Sequence, residues 1–364
     1  MATSSAENDA AAPSTTDDAP KSRPHRSGNT THKYRSIEYL LLSESCMTNR
    51  HLRRLTGGGT HAGYRPLYDG TFSSYDANQD PTLNKEEDGI AHSAESQIPM
   101  EPWAEQLMSL LLYDERMTNL ACKSNKSKKD FVDSLAILER VEEVLGNHHD
   151  EQTIETGTNI LFFDMCSGKG ITALILTMRF PSAKIMCVDV RPPGETEHHL
   201  REGAFANISR TTGSVYDEEV VRNVISKTPT DGTCIVLGTH LCGHLSVAAM
   251  DTIAQYPEQI SAVIVAPCCL PQQKNPKKAL NIPGAGWGCD TTRLARERGC
   301  DPFELWSERL FERAPVSEEC KNMVRDTDMI STKNKFIVLR STTSRVVRRD
   351  VVNECTEKLE TIIL

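Results

Sequence analysis

The strongest constraint on the fold lies at residues 160–170, Ile-Leu-Phe-Phe-Asp-Met-Cys-Ser-Gly-Lys-Gly. An apolar run ends on an acid, Asp164, a turn of small residues with Gly168 and Gly170 follows, and Ile171–Arg179 then reads as a helix. In such a unit the glycines take positive φ and bring bare backbone against a ligand. The strand–helix pattern then repeats. Residues 183–190, 207–212, 233–239, 261–266 and Lys335–Arg340 read as strands, with helices at 195–205, 218–227 and 245–255 between them. Strands nearly continuous in Val, Ile and Leu, separated by helices, indicate a parallel sheet covered on both faces. The expected fold class is α/β, a Rossmann-like seven-stranded sheet over residues 155–341 with an N-terminal helical segment.

The flanks read differently. Residues 1–32 have the composition of a disordered tail that turns basic at Lys21, Arg23, His25 and Arg26, either a solvated face or a weak RNA or nuclear signal. Residues 33–100 read as a short helix ended by Gly57-Gly58-Gly59 and then linker; residues 101–154 read as helical, with an apolar stripe at Phe131, Leu135, Leu138, Val141, Val144 and Leu145. Residues 342–364 read as a C-terminal helix, and 271–334 as an insertion or lid before the last strand. Within that insertion Lys274, Lys277, Lys278 and the glycine-flanked Trp287 offer phosphate contacts and a stacking surface, which makes RNA the candidate partner.

Net charge is −9, yet residues 155–341 hold 21 Lys/Arg against 22 Asp/Glu, so charge neither selects nor excludes RNA. No apolar run approaches the roughly 20 residues of a membrane span. The N-terminus lacks a secretory apolar core and carries Glu7, Asp9, Asp17 and Asp18, so a cytoplasmic or nuclear location is expected. The twelve cysteines are dispersed and read as reduced. No metal is expected: His240, Cys242 and His244 alternate after a strand, which does not aim three ligands at one centre.

Three ligands compete for the glycine turn. A Walker loop needs a glycine where Phe163 stands. A dinucleotide site is the better rival, since 168–173 satisfies Gly-x-Gly-x-x-Ala and Asp189 follows at the ribose-binding distance. Asp164, however, would repel a pyrophosphate and favour a cation. The stretch 164–170 resembles motif I of class I S-adenosylmethionine-dependent methyltransferases, D/E-x-G-x-G-x-G, with Cys166 in place of the first glycine. That resemblance implies S-adenosyl-L-methionine as cofactor, held by Asp164, Cys166, Gly168, Gly170, Asp189 at the ribose, and Ser214 and Val215 at the adenine, with Thr239 at the end of the fourth strand. Ser214 stands where an acid is common, and Asp217 is a nearby substitute.

Chemistry in open α/β sheets sits outside the carboxyl ends of the strands. There His240-Leu241-Cys242-Gly243 and the pair Cys268-Cys269 resemble segments of the family that includes the eukaryotic tRNA 2′-O-methyltransferases, over about residues 158–341. This chain lacks that family's N-terminal Cys/His zinc modules and has Pro271 where histidines follow. The resemblance implies an enzyme that methylates RNA, tRNA foremost. A protein or small-molecule methyltransferase, or a non-catalytic docking module, are the alternatives. His240 is the candidate base or a structural hydrogen-bonding partner. Cys242 and Cys268 are candidate covalent nucleophiles or small residues packing the sheet edge.

Overall fold

The computed structural model describes residues 49–56, 101–113, 127–146, 156–192, 205–271 and 287–342. The expected tail (1–32), most of the 33–100 segment, the helix at 195–205 save its last residue, Lys274, Lys277, Lys278 and nearly all of the C-terminal helix lie outside these residues.

Three helices precede the sheet: α1 (Arg50–Thr56), α2 (Pro102–Tyr113) and α3 (Ser127–Leu145). Strand and helix then alternate through β1 (Ile160–Met165), α4 (Ile171–Arg179), β2 (Lys184–Asp189), β3 (Ile208–Thr212), α5 (Glu218–Ile225), β4 (Thr233–Cys242), α6 (His244–Gln255) and β5 (Ile260–Cys269). Helices α7 (Thr291–Arg298) and α8 (Pro302–Arg313) lead to β6 (Lys321–Arg325) and β7 (Lys335–Arg340). The sheet runs β3-β2-β1-β4-β5-β7-β6. Its first five strands are parallel, and β7 is antiparallel to both β5 and β6. This is the Rossmann-like seven-stranded α/β sheet expected from the sequence.

The period of two divides the core. Ile160, Phe162, Ile235, Leu237, Ile264, Phe336 and Val338 face one layer, which α1, α2, α3 and α4 cover through residues such as Leu52, Leu107, Leu138 and Leu174. Leu161, Phe163, Val236, Val263, Val265 and Ile337 face the other, covered by α5, α6 and α8. The N-terminal helical segment is therefore one wall of the sheet's core. No described helix is long and apolar enough to cross a membrane.

Two differences from the sequence reading matter for the site. Residues 287–334, within the segment expected as an insertion or lid anchored by a helix at Phe303–Arg313, supply α7, α8 (the anchoring helix, with Trp306 buried) and the edge strand β6. Strand β6, Lys-Asn-Met-Val-Arg, has no apolar run because it is an edge strand with no fully buried residue. Strands β4 and β5 also extend past their expected ends at 239 and 266, through Cys242 and Cys269. Register shifts make this possible: Thr239 pairs with Ala266, Leu241 with Pro267 and Cys242 with Cys269. His240 on β4 and Cys268 on β5 are thus left unpaired as opposed one-residue bulges, and Pro267 is accommodated beside them.

Candidate active site

A cleft of about 480 Å³ opens at the carboxyl ends of β1, β2 and β4, where the strand order reverses direction on either side of β1. Its floor is the turn after β1. Cys166, Gly168 and Gly170 have φ of 59°, 57° and 72°, so three residues in five are left-handed. The motif requires glycine at these positions for that reason, and Cys166 holds the same backbone with a side chain. The turn is fastened at both ends: Ser167 N donates to Val188 O (3.1 Å), and Gly168 N to Asp189 Oδ2 (3.0 Å).

Asp189 ends β2 almost fully buried and also accepts from Arg191 N (2.9 Å) and Arg191 Nε (3.1 Å). Burial opposes its ionisation, but the Arg191 and Gly168 donors outweigh it and hold the carboxyl below its usual range. Asp164 ends β1, buried at 1% exposure, and lines the same cleft. Burial, with Asp189 and Asp164 nearby, pushes the Cys166 thiol up to about 12.

The far wall carries Ser214, Val215 and Tyr216. Ser214 Oγ accepts from Tyr216 N (3.2 Å), which closes the turn. Asp217 does not take the place of the missing acid: its Oδ1 accepts from Glu219 N (3.0 Å) and caps α5. Tyr216 itself went unnoticed in the sequence.

The near wall is α3. Lys169 Nζ reaches from the turn to Asp130 Oδ2 (2.9 Å). A hydroxyl chain runs from Ser134 Oγ to Thr172 Oγ1 (3.0 Å) and on to Thr239 Oγ1 (3.2 Å), tying α3 to α4 and β4. His240 lies beside it in the left-handed region, φ 59°. Its Nε2 is 2.8 Å from Asp133 Oδ2 and 3.0 Å from Lys129 Nζ, and Lys129 also bonds Asp133. Asp133 is fully buried. The sequence reading missed Asp130, Asp133 and Lys129, yet a signal was present: Asp133 is four and eight residues ahead of Ile137 and Val141, on a buried stripe where an acid has no packing role.

The remaining sequence candidates gather elsewhere. Cys242 Sγ lies 3.2 Å from Cys268 Sγ, which lies 3.5 Å from Cys269 Sγ. Burial pushes the Cys242 and Cys268 thiols up. His244 opens α6, and its Nε2 lies 3.0 Å from Trp287 O. Trp287 is half-buried. Its ring packs on Trp306 (5.1 Å between centroids), with the guanidinium groups of Arg309 and Arg313 5.4 and 5.2 Å from its centre.

The cleft suits a cationic nucleoside better than a phosphate ester. Asp130, Asp164 and Asp189 line it, and its two cationic side chains, Lys169 and Arg191, are each paired to one of these acids.

A search of curated protein sequences finds no match. Among solved structures, a protein from Thermobifida fusca assigned as a methyltransferase aligns at TM-score 0.35 and 16% identity, over 67% of this chain and 90% of its own. The carbon methyltransferase CurJ aligns at 0.38 and 11%, over 65% and 64%, and an rRNA methylase from Streptococcus thermophilus at 0.30 and 11%, over 56% and 95%. Residues 136–275 match a family described as a methyltransferase domain. That span begins inside α3 and includes the glycine turn, Asp189, His240 and the three clustered cysteines, while Asp130, Asp133 and Ser134 of the cleft wall precede it.

Proposed function

We propose that the chain transfers a methyl group from S-adenosylmethionine to RNA, with tRNA the first acceptor to test. The observation that carries this reading is that the acid-bounded glycine turn and His240, which contacts Asp133 and Lys129, border one cleft. The cofactor supplies a methyl group on a sulfonium, an electrophile whose reaction depends on alignment with the acceptor. Asp189 would accept from the two ribose hydroxyls in place of the Arg191 guanidinium, which bonds both of its oxygens here, and Gly168 and Gly170 would let the nucleoside approach bare backbone. Asp164 contributes negative charge that favours a cation. Ser214 and Val215, which line the cleft, would contact the adenine.

For a hydroxyl acceptor a base is needed. In the tautomer with the proton on Nε2, His240 donates to Asp133 and keeps a lone pair on Nδ1, where it can take the acceptor's proton; the Asp133 carboxylate then stabilises the imidazolium. Asp133 acts through His240 and is a positioning residue. The choice of RNA rests on the His240–Gly243 and Cys268-Cys269 segments, which resemble those of RNA enzymes.

Incubating the purified chain with methyl-labelled S-adenosylmethionine and fractionated cell extract tests both parts. Nuclease-sensitive label supports RNA; label confined to protein or to low-mass material overturns that acceptor while leaving methyl transfer in place. By calorimetry, Asp189→Ala should weaken cofactor binding roughly 10- to 100-fold through loss of charged hydrogen bonds. Unchanged binding would remove the cofactor assignment.

A further inference from the structure

We propose that Cys242, Cys268 and Cys269 form a binding site for one thiophilic d¹⁰ cation, Zn²⁺ or Cu⁺, where β4 and β5 end side by side. The proposal is independent of the methyl-transfer reading.

The geometry is specific to these three thiols. In unbroken strands Cys268 and Cys269 would point to opposite faces. The bulge at Cys268 breaks that alternation, and the opposed bulge at His240 restores the register so that Cys242 sits opposite Cys269. The sulfurs end 3.2 and 3.5 Å apart, with all three within 4.8 Å of one another. A tetrahedral ion with metal–sulfur bonds of about 2.3 Å places its sulfurs about 3.8 Å apart. Two of the separations are within about 0.6 Å of that spacing and the third is no more than 4.8 Å, so closure on an ion needs adjustments of about an ångström or less.

The chemistry agrees. Three sulfur donors without a carboxylate or imidazole among them select soft cations over Mg²⁺ or Ca²⁺. A bound cation also reverses the local electrostatics, since it deprotonates the thiols it ligates. The left-handed backbone of His240 brings its carbonyl oxygen 3.1 Å from Cys268 Sγ and 3.7 Å from Cys242 Sγ, which leaves an oxygen at the edge of the triangle. Cys242 is exposed, so the ion has a path in from solvent. The other group of possible ligands, His51, Glu139 and Asp326, is already neutralised: Arg50 lies 2.8 Å from Asp326 and 3.1 Å from Glu139.

The test is elemental analysis of the full chain, purified under reducing conditions without chelators, together with the visible spectrum of a Co²⁺-loaded sample. The expected result is about one equivalent of zinc or copper per chain and a thiolate-to-cobalt charge-transfer band. Cys242→Ser and Cys269→Ser should each reduce metal content at least tenfold, while Cys300→Ser, which alters an exposed thiol elsewhere, leaves it unchanged. Absence of both metal and cobalt band in the reduced wild-type chain overturns the site, as does metal content that survives the Cys242 and Cys269 substitutions. The wild-type spectrum decides the matter even where a variant fails to fold, and neither readout depends on methyl transfer.

Discussion

Asp133 is the residue whose role most clearly depends on tertiary structure. It comes from a helix outside the strand–turn–helix repeat, is fully buried, and is 2.8 Å from His240 Nε2. Asp133→Asn keeps the shape but loses the charge that favours an imidazolium, so kcat should fall roughly 100-fold, within the range for proton-transfer groups, with both KM values nearly unchanged. Asp133→Glu should recover part of the rate in the same steady-state assay; an unaltered kcat in Asp133→Asn would rule out the positioning role. Cys166 makes a second residue-scale case. A side chain at φ 59° costs about 1–2 kcal/mol. Cys166→Gly should therefore retain cofactor affinity and stability, whereas the β-branched Cys166→Val should lower stability by about 1–3 kcal/mol in chemical denaturation. The glycines, Asp164, Asp189 and His240 were legible in the sequence because each adjoins a strand end whose position the apolar pattern fixes. Asp133 was not, because nothing in a linear pattern says which strand end a remote helix will cross.

At the scale of elements, the same limit explains where the strand readings stopped short. Residues 233–239 and 261–266 have a clear apolar pattern, but His240, Pro267 and Cys268 break it, and the continuation to Cys242 and Cys269 depends on two bulges that compensate each other across the pair. Strand β6 was hidden for another reason: its pairing with β7 comes from backbone register, not from its own side chains. Just beyond it, Asp326 joins the end of β6 to α1 through His51 (2.9 Å) and Arg50 (2.8 Å). Burial raises the cost of its charge, and His51, Arg50 and the Asp328 amide more than offset this, leaving the carboxyl at about 2. A carboxyl moved that far below 3.8 contributes about 2 kcal/mol. The contribution is complete above about pH 4, where the unfolded chain is also ionised, and is lost as pH falls through about 2. Asp326→Asn should cost about 2 kcal/mol in urea unfolding at pH 7, and the gap from wild type should close between about pH 4 and 2. A gap independent of pH would mean that the side chain contributes by packing alone.

At the scale of the molecule, the structure joins what the sequence separated. The helical segment before residue 155 reads as a neighbour of the sheet domain, yet Leu52, Leu55, Trp103, Leu107, Met108 and Leu111 belong to the same core cluster as Phe162, Ile235 and Ile264. Helix α3 also borders the cleft, through Asp130 and Ser134. The family match starts within α3, at residue 136, so α1, α2 and the first turns of α3 lie ahead of it although they cover the sheet. A chain begun at residue 156 would keep every strand, the glycine turn and α4 but strip α1, α2 and α3 from the face of the sheet that they cover beside α4. Burial of apolar surface stabilises by about 25 cal/mol per Å², so losing the α1–α3 cover from the core cluster that contains Phe162, Ile235, Leu237, Ile264 and Phe336 removes a large share of a marginal total. The truncated chain should bind a hydrophobic dye strongly, lose its cooperative thermal transition and bind no S-adenosylmethionine, while the chain begun at residue 49 keeps all three properties of the full protein. A cooperative transition in the 156–364 fragment would show that the sheet is stable without that wall.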